Sequence, residues 1–160
     1  MTNLSVHYSS VSNEWTTPQE LFDYLNDIYG FTLDPCSDGI NAKCSKYFTE
    51  NDDGLSQDWS NEIVFMNPPY GRAIKDWIKK AYEESQKGAT VIALIPSRTD
   101  TKYWHDYCMK ANKITLIKGR VKFGDGKNSA PFPSAIVEFK PAHTHTHTDF
   151  GCNGRYKLTA

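Results

Sequence analysis

Long hydrophobic runs are missing from this chain. The longest, Val91 to Pro96, is far too short to cross a bilayer, and nothing at the start has the pattern of a signal peptide, so a cytoplasmic protein with no membrane partner is expected. A basic excess is missing as well. With 18 Lys and Arg against 19 Asp and Glu, the formal net charge is −1, and any nucleic-acid binding has to come from a local patch. The four cysteines, Cys36, Cys44, Cys108 and Cys152, form no CxxC pair and have no His partner at zinc spacing. No metal site is expected, and the thiols are expected to stay reduced. The tract His143-Thr-His145-Thr-His147-Thr, beside a polar terminus, reads as part of a flexible tail over 143–160 with no assigned function.

What is present is enough for one domain over 1–142 with a substantial core. Aromatic residues reach 13%, including four Trp and nine Tyr. Strands are expected at Phe31-Thr32-Leu33, Ile63–Met66, Thr90–Ile95, Lys113–Ile117 and Ser134–Phe139, each bounded by turn residues. Helices are expected over Thr17–Ile28, Ala73–Gln86 and Thr101–Lys110. The first opens on a capping box, with Thr17 at the cap, Pro18 at the first helical position and Glu20 at the third. Leu21, Phe22, Leu25 and Ile28 then share one face. Strands alternating with helices argue for an α/β fold with a mostly parallel central sheet and helices on both faces.

The tetrad Asn67-Pro68-Pro69-Tyr70 directly follows the apolar run Ile63–Met66. An exocyclic amino group on a base is a poor nucleophile because its lone pair is delocalised into the ring. The side-chain oxygen of Asn67 can accept one N–H of such a group and the backbone oxygen of Pro68 the other, which draws the lone pair out of conjugation. Prolines hold those acceptors in place before substrate arrives, and Tyr70 can stack on the base. Asn-Pro and Pro-Pro are also ordinary turn punctuation, so the tetrad needs support from its surroundings. Support comes from position: Asp34, Asn67 and Pro96-Ser97-Arg98 each follow a strand, and ligands of α/β sheets sit beyond the carboxyl ends of the strands.

In order, Trp15-Thr16-Thr17-Pro18, Leu33-Asp34-Pro35-Cys36, Asp58-Trp59, Asn67-Pro68-Pro69-Tyr70, Gly119-Arg120 and Phe123 resemble the phage-type, Dam-like DNA adenine-N6 methyltransferases. The similarity runs from about Glu14 to Lys140. It implies a compact class I S-adenosylmethionine-dependent methyltransferase fold, S-adenosyl-L-methionine as cofactor, double-stranded DNA as partner, adenine in GATC as target, and base flipping. By the same resemblance, Asn67, Pro68, Pro69 and Tyr70 grip the flipped adenine. Trp15, Thr17 and Pro18 line the methionine part of the cofactor, and Asp34, Pro35 and Cys36 form the first cofactor motif. Thr17 has the alternative reading of a plain helix cap. Asp58 matches a ligand of the cofactor's adenine, although Asp52 and Asp53 compete with it. Phe123 matches the ring that faces the catalytic tyrosine across the base, or else fills the core under a hairpin. Arg98, Arg120 and Lys122 are candidate phosphate or base contacts.

Two departures from the family pattern matter. Ser37-Asp38-Gly39 stands where a full Gly-x-Gly is expected, and no separate target-recognition domain fits in 160 residues. Sequence choice is therefore expected to be loose or to depend on a second subunit in a homodimer; the biological purpose, protection from restriction or regulation, stays open. Two rival readings stay open: a methyltransferase acting on a protein glutamine or an RNA guanine amino group, and a DNA-binding relative without turnover.

Overall fold

The computed structural model of the chain describes residues 15–141 and the backbone of 157–159. Helix α1 (Gln19–Tyr29) buries Leu21, Phe22 and Leu25 at helical spacing. It stops at Gly30, whose left-handed φ of 67° lets its N–H return to Asn26 O at 2.8 Å. The capping box does not form. Pro18 occupies the cap with ψ 133°, no side chain caps the helix, and the Thr17 hydroxyl is engaged elsewhere. Helix α2 (Ile74–Gln86) buries Ile74, Trp77, Ile78 and Ala81. The turn after it needs Gly88, at φ 119°, because a Cβ there would lie 2.9 Å from Ser60 O. The single helix expected over 101–110 is shorter. Helix α3 (Lys102–Asp106) breaks at Tyr107, with φ −128° and ψ −51°, and resumes as a 3₁₀ turn at Cys108–Lys110.

The strands are β1 (Leu33–Asp34), β2 (Lys46–Tyr47), β3 (Ile63–Met66), β4 (Thr90–Pro96), β5 (Lys113–Lys118), β6 (Ser134–Phe139) and β7 (Lys157–Thr159). They form one sheet in the order β2-β1-β3-β4-β6-β5-β7. The expectation of a mostly parallel sheet is corrected. β2-β1, β1-β3 and β3-β4 pair in parallel, whereas β4-β6, β6-β5 and β5-β7 pair antiparallel. The physical reason lies in the connection between β5 and β6. Residues 119–133 contain no helix, so no crossover is made and the chain returns antiparallel, inserting β6 between β4 and β5. β2 and β7 have no counterpart among the expected strands. β2 is two exposed residues, and β7 lies in the stretch read as a tail, whose His tract and Cys152 fall outside the described residues.

Alternation along the central strands explains why both faces of the sheet are covered. Val64 and Met66 of β3, Val91, Ala93 and Ile95 of β4, and Ala135, Val137 and Phe139 of β6 pack with α2 and with Trp104 of α3. Phe65, Ile92, Leu94 and Ile136, one residue out of phase, pack with α1 and the loop after β5. The approach to β3 is fixed from α2. The fully buried Glu84 carboxylate accepts Trp59 N–H at 2.8 Å and the Lys80 and Lys87 ammonium groups at 2.7 and 2.8 Å. The parallel register puts the ends of β1, β3 and β4 at one edge of the sheet, and the pairing Pro96↔Ser134 brings the 119–133 loop to that same edge.

Candidate active site

The ends of β1 and β3 and the segment before α1 line an open cleft. Trp15, Thr16 and Thr17 form one wall, Asp34, Cys36, Asn41 and Lys43 another, and Phe65, Asn67, Pro68 and Pro69 the floor. The residues expected at the first motif, the N-terminal motif and the tetrad thus meet in one place, from positions up to about fifty apart in the chain.

Asn67 is the hub. Its Nδ2 donates to Trp15 O at 2.8 Å and to Thr17 Oγ1 at 3.0 Å. Because both donors face the Trp15–Thr17 segment, Oδ1 is oriented the other way, and it accepts the Tyr70 hydroxyl at 2.7 Å. Tyr70 also donates to Leu94 O at 3.3 Å. Burial holds its phenol far above the ordinary value, so it remains a neutral donor. Thr17, only 4% exposed, is therefore a fixture of the site and not a helix cap.

The Tyr70 ring belongs to an aromatic cluster. Trp15 lies tilted at 6.1 Å, Phe132 meets it edge-on at 5.5 Å, and Phe123 edge-on at 6.2 Å. Phe123 is 5% exposed and fills the core under the loop, as one of its two sequence readings expects, with its ring edge-on to that of Tyr70. Trp15 stands between the first cleft and a larger, solvent-open one bounded by Phe123, Asp125, Asn128 and Ser129.

Asp34 is buried, and burial pushes its carboxyl up to about 6 against the pull of backbone N–H groups and Lys43. Its Oδ1 accepts Cys36 N–H at 3.2 Å and its Oδ2 accepts Lys43 N–H at 3.0 Å. Where a glycine-rich turn is lacking, this carboxylate staples the loop, and the buried Ser37 adds a bond from Gly39 N–H to its Oγ at 2.8 Å. Burial and the neighbouring Asp34 push the Cys36 thiol well up, so it stays protonated. Pro18 and Pro35 shape the backbone beside the cleft without lining it.

Asp58 is not brought to the cleft. It is exposed and accepts the Ser60 N–H and hydroxyl, both at 3.0 Å, which places it in a turn before β3. Asp52 is likewise engaged with Thr49. Arg98 follows β4 on the rim, fully outside the core. In the loop after β5, Val121 and Phe123 are buried while Arg120 is exposed and Lys122 half-exposed, so the cations face outward from the same rim. Sequence reasoning missed Thr16, Asn41, Lys43 and Phe132. Phe132, held between Pro131 and Pro133, carried a usable signal, since an aromatic flanked by prolines repeats the logic of the tetrad. The polar loop of Asn41 and Lys43 carried none.

Residues 5–149 match the family DNA N-6-adenine-methyltransferase (Dam). The DNA N-6-adenine-methyltransferase of Haemophilus phage HP1 (strain HP1c1) is 26% identical over 136 residues, covering 79% of this chain and 78% of that one. The enzyme of the same name from Escherichia phage T1 is 30% identical over 111 residues, 68% of this chain, which spans only 46% of the T1 protein. The match extends over nearly the whole described fold and includes every strand end that lines the cleft, and on that basis the chain belongs to the DNA N-6-adenine-methyltransferase (Dam) family.

Proposed function

We propose that the chain transfers the methyl group of S-adenosyl-L-methionine to N6 of an adenine flipped out of duplex DNA, by direct attack with no covalent intermediate. The observation that carries this reading is the convergence of Asn67, Thr17, Trp15 and Asp34 on one cleft at the ends of β1 and β3. The mixed sheet is then a variant of the class I methyltransferase fold.

The cleft suits that donor. Its lining offers one anion, Asp34, and one cation, Lys43, to a zwitterionic amino acid, together with apolar walls from Phe65 and Pro68. The Thr16 hydroxyl, buried with no partner in the fold, is free to bond to a ligand. S-adenosyl-L-methionine supplies a sulfonium-activated methyl group; the chain supplies positioning and polarisation.

Asn67 Oδ1 and Pro68 O accept the two N6–H groups, and these bonds strengthen as positive charge grows on N6 during attack. Interactions that are stronger in the transition state than in the ground state are the ones that raise turnover. Held by Trp15 O and Thr17 Oγ1, the Asn67 amide does not need to reorient. The Tyr70 face stacks on the base, with Phe123 opposite. Arg98, Arg120 and Lys122 contact the DNA backbone on the rim. Because these contacts carry no base information, GATC choice falls to the short loops or to a second subunit.

Incubation with tritiated S-adenosyl-L-methionine and adenine-unmethylated DNA, followed by nucleoside analysis, tests the reading. Label in N6-methyldeoxyadenosine is the expected result. Label confined to protein or RNA, or no label at all, would overturn it in favour of an amide or guanine methyltransferase or of an inactive relative.

A further inference from the structure

Lys43 occupies an unusual position for a lysine. Its backbone is tied to Asp34 Oδ2 at 3.0 Å, and its Nζ donates to Gln19 Oε1 at 2.8 Å, with Gln19 itself donating to Asp23 Oδ1 at 2.7 Å. The ammonium lies 5.9 Å from the Phe22 ring centroid. Long charged side chains on a surface ordinarily sweep through solvent and are rarely held at both ends. Here backbone and head group are both fixed, the side chain is half-buried, and it is the one cation among the described residues that line the cleft. Burial pulls its ammonium below the ordinary value while Asp34 and Asp23 oppose that pull.

A fixed, partly desolvated ammonium with further donors to offer is a receptor for an anion. Gln19 is the first residue of α1, so the anion would meet Lys43 beside the start of that helix. We propose that Lys43 binds the α-carboxylate of the methyl donor's amino-acid portion and so compensates for the missing glycine-rich turn. The assignment rests on the reading that the donor is S-adenosyl-L-methionine. Asp34, with both oxygens engaged by backbone N–H groups, holds the loop that carries Lys43.

Titration calorimetry with S-adenosyl-L-methionine and with its decarboxylated analogue tests this directly on the whole chain. Wild type should prefer the carboxylate-bearing compound by roughly tenfold or more, as expected of a charge-assisted hydrogen bond. Lys43→Met should lose most of that preference while binding the decarboxylated analogue within about threefold of wild type, which also reports an intact cleft. Lys43→Arg should keep it. Equal binding of the two compounds by wild type, or an undiminished preference in Lys43→Met, would overturn the Lys43 assignment and leave the donor reading standing. If Lys43→Met binds neither compound, Lys43→Arg decides: a retained preference supports the proposal and a lost one overturns it. Failure of wild type to bind either compound would instead defeat the donor reading, and the Lys43 proposal with it.

Discussion

The Tyr70 hydroxyl donates to Asn67 Oδ1 at 2.7 Å, which means that the phenol occupies the acceptor an adenine amino group needs. The two rings proposed to sandwich the base, Tyr70 and Phe123, also meet edge-on at 6.2 Å, not as parallel faces. In the proposed reaction the N6–H group either takes the second lone pair of Oδ1 beside the Tyr70 hydroxyl or replaces that hydroxyl as Tyr70 turns.

Substitutions at Tyr70 separate the ring from the hydroxyl. Tyr70→Phe keeps the stacking face and frees Oδ1, so its single-turnover rate should stay within a few-fold of wild type and its DNA affinity should hold or rise. Tyr70→Ala removes stacking worth roughly 1–3 kcal/mol per base and should weaken DNA binding by about five- to 150-fold, with cofactor binding little changed. DNA titrations and rapid-quench kinetics measure both effects. A Tyr70→Ala variant that lost the cofactor and kept DNA affinity would assign the tyrosine to the wrong ligand.

Asp34 gives the fold a pH signature. Its folded-state value of about 6 lies above the ordinary 3.8, so between those values the folded chain keeps a proton that the unfolded chain has released. Stability from this group is thus present below that window and declines as pH rises through it, by on the order of 3 kcal/mol. In Asp34→Asn that decline should be absent. Urea unfolding at intervals from pH 3.5 to 6.5 measures the difference in slope between the two proteins, and parallel profiles would contradict the assignment.

Glu84 acts on the fold and not on the chemistry. Burial raises its carboxyl, but the Lys80 and Lys87 ammonium groups and Trp59 N–H outweigh that and hold it below the usual range. Glu84→Ala leaves Trp59 N–H without its acceptor and the half-enclosed Lys80 without its counter-ion. The expected cost is about 3–5 kcal/mol in denaturant unfolding. The methylation rate of the fraction that remains folded should be near wild type.

How much of this was legible in the sequence differs by element. Four strands, from Ile63–Met66 to Ser134–Phe139, and the bodies of α1 and α2 follow from apolar runs and helical spacing, because each is buried on at least one face. The tetrad was readable because proline and asparagine at a strand end are chemically distinctive. Sheet direction was not. Nothing in the residues of 119–133 announces that β6 inserts between β4 and β5, since strand order is decided by long-range pairing. Thr17 read as a cap because local sequence shows only the nearest N–H groups, while its actual partner, Asn67, lies fifty residues away. Lys43 gave no signal for the same reason: its role comes from Asp34 and Gln19, which only the fold brings together.

Single-turnover methylation by Asn67→Ala tests the proposal that Asn67 Oδ1 accepts the adenine amino group as its nitrogen attacks. The rate of N6-methyladenine formation should fall by on the order of 10²–10³-fold, the cost of removing one preorganised polar contact to developing charge. Cofactor affinity, measured on the same variant, should change by less than about tenfold, because Asn67 supports the Trp15–Thr17 wall without being its sole support. A variant that methylates adenine at a near wild-type rate would contradict the account.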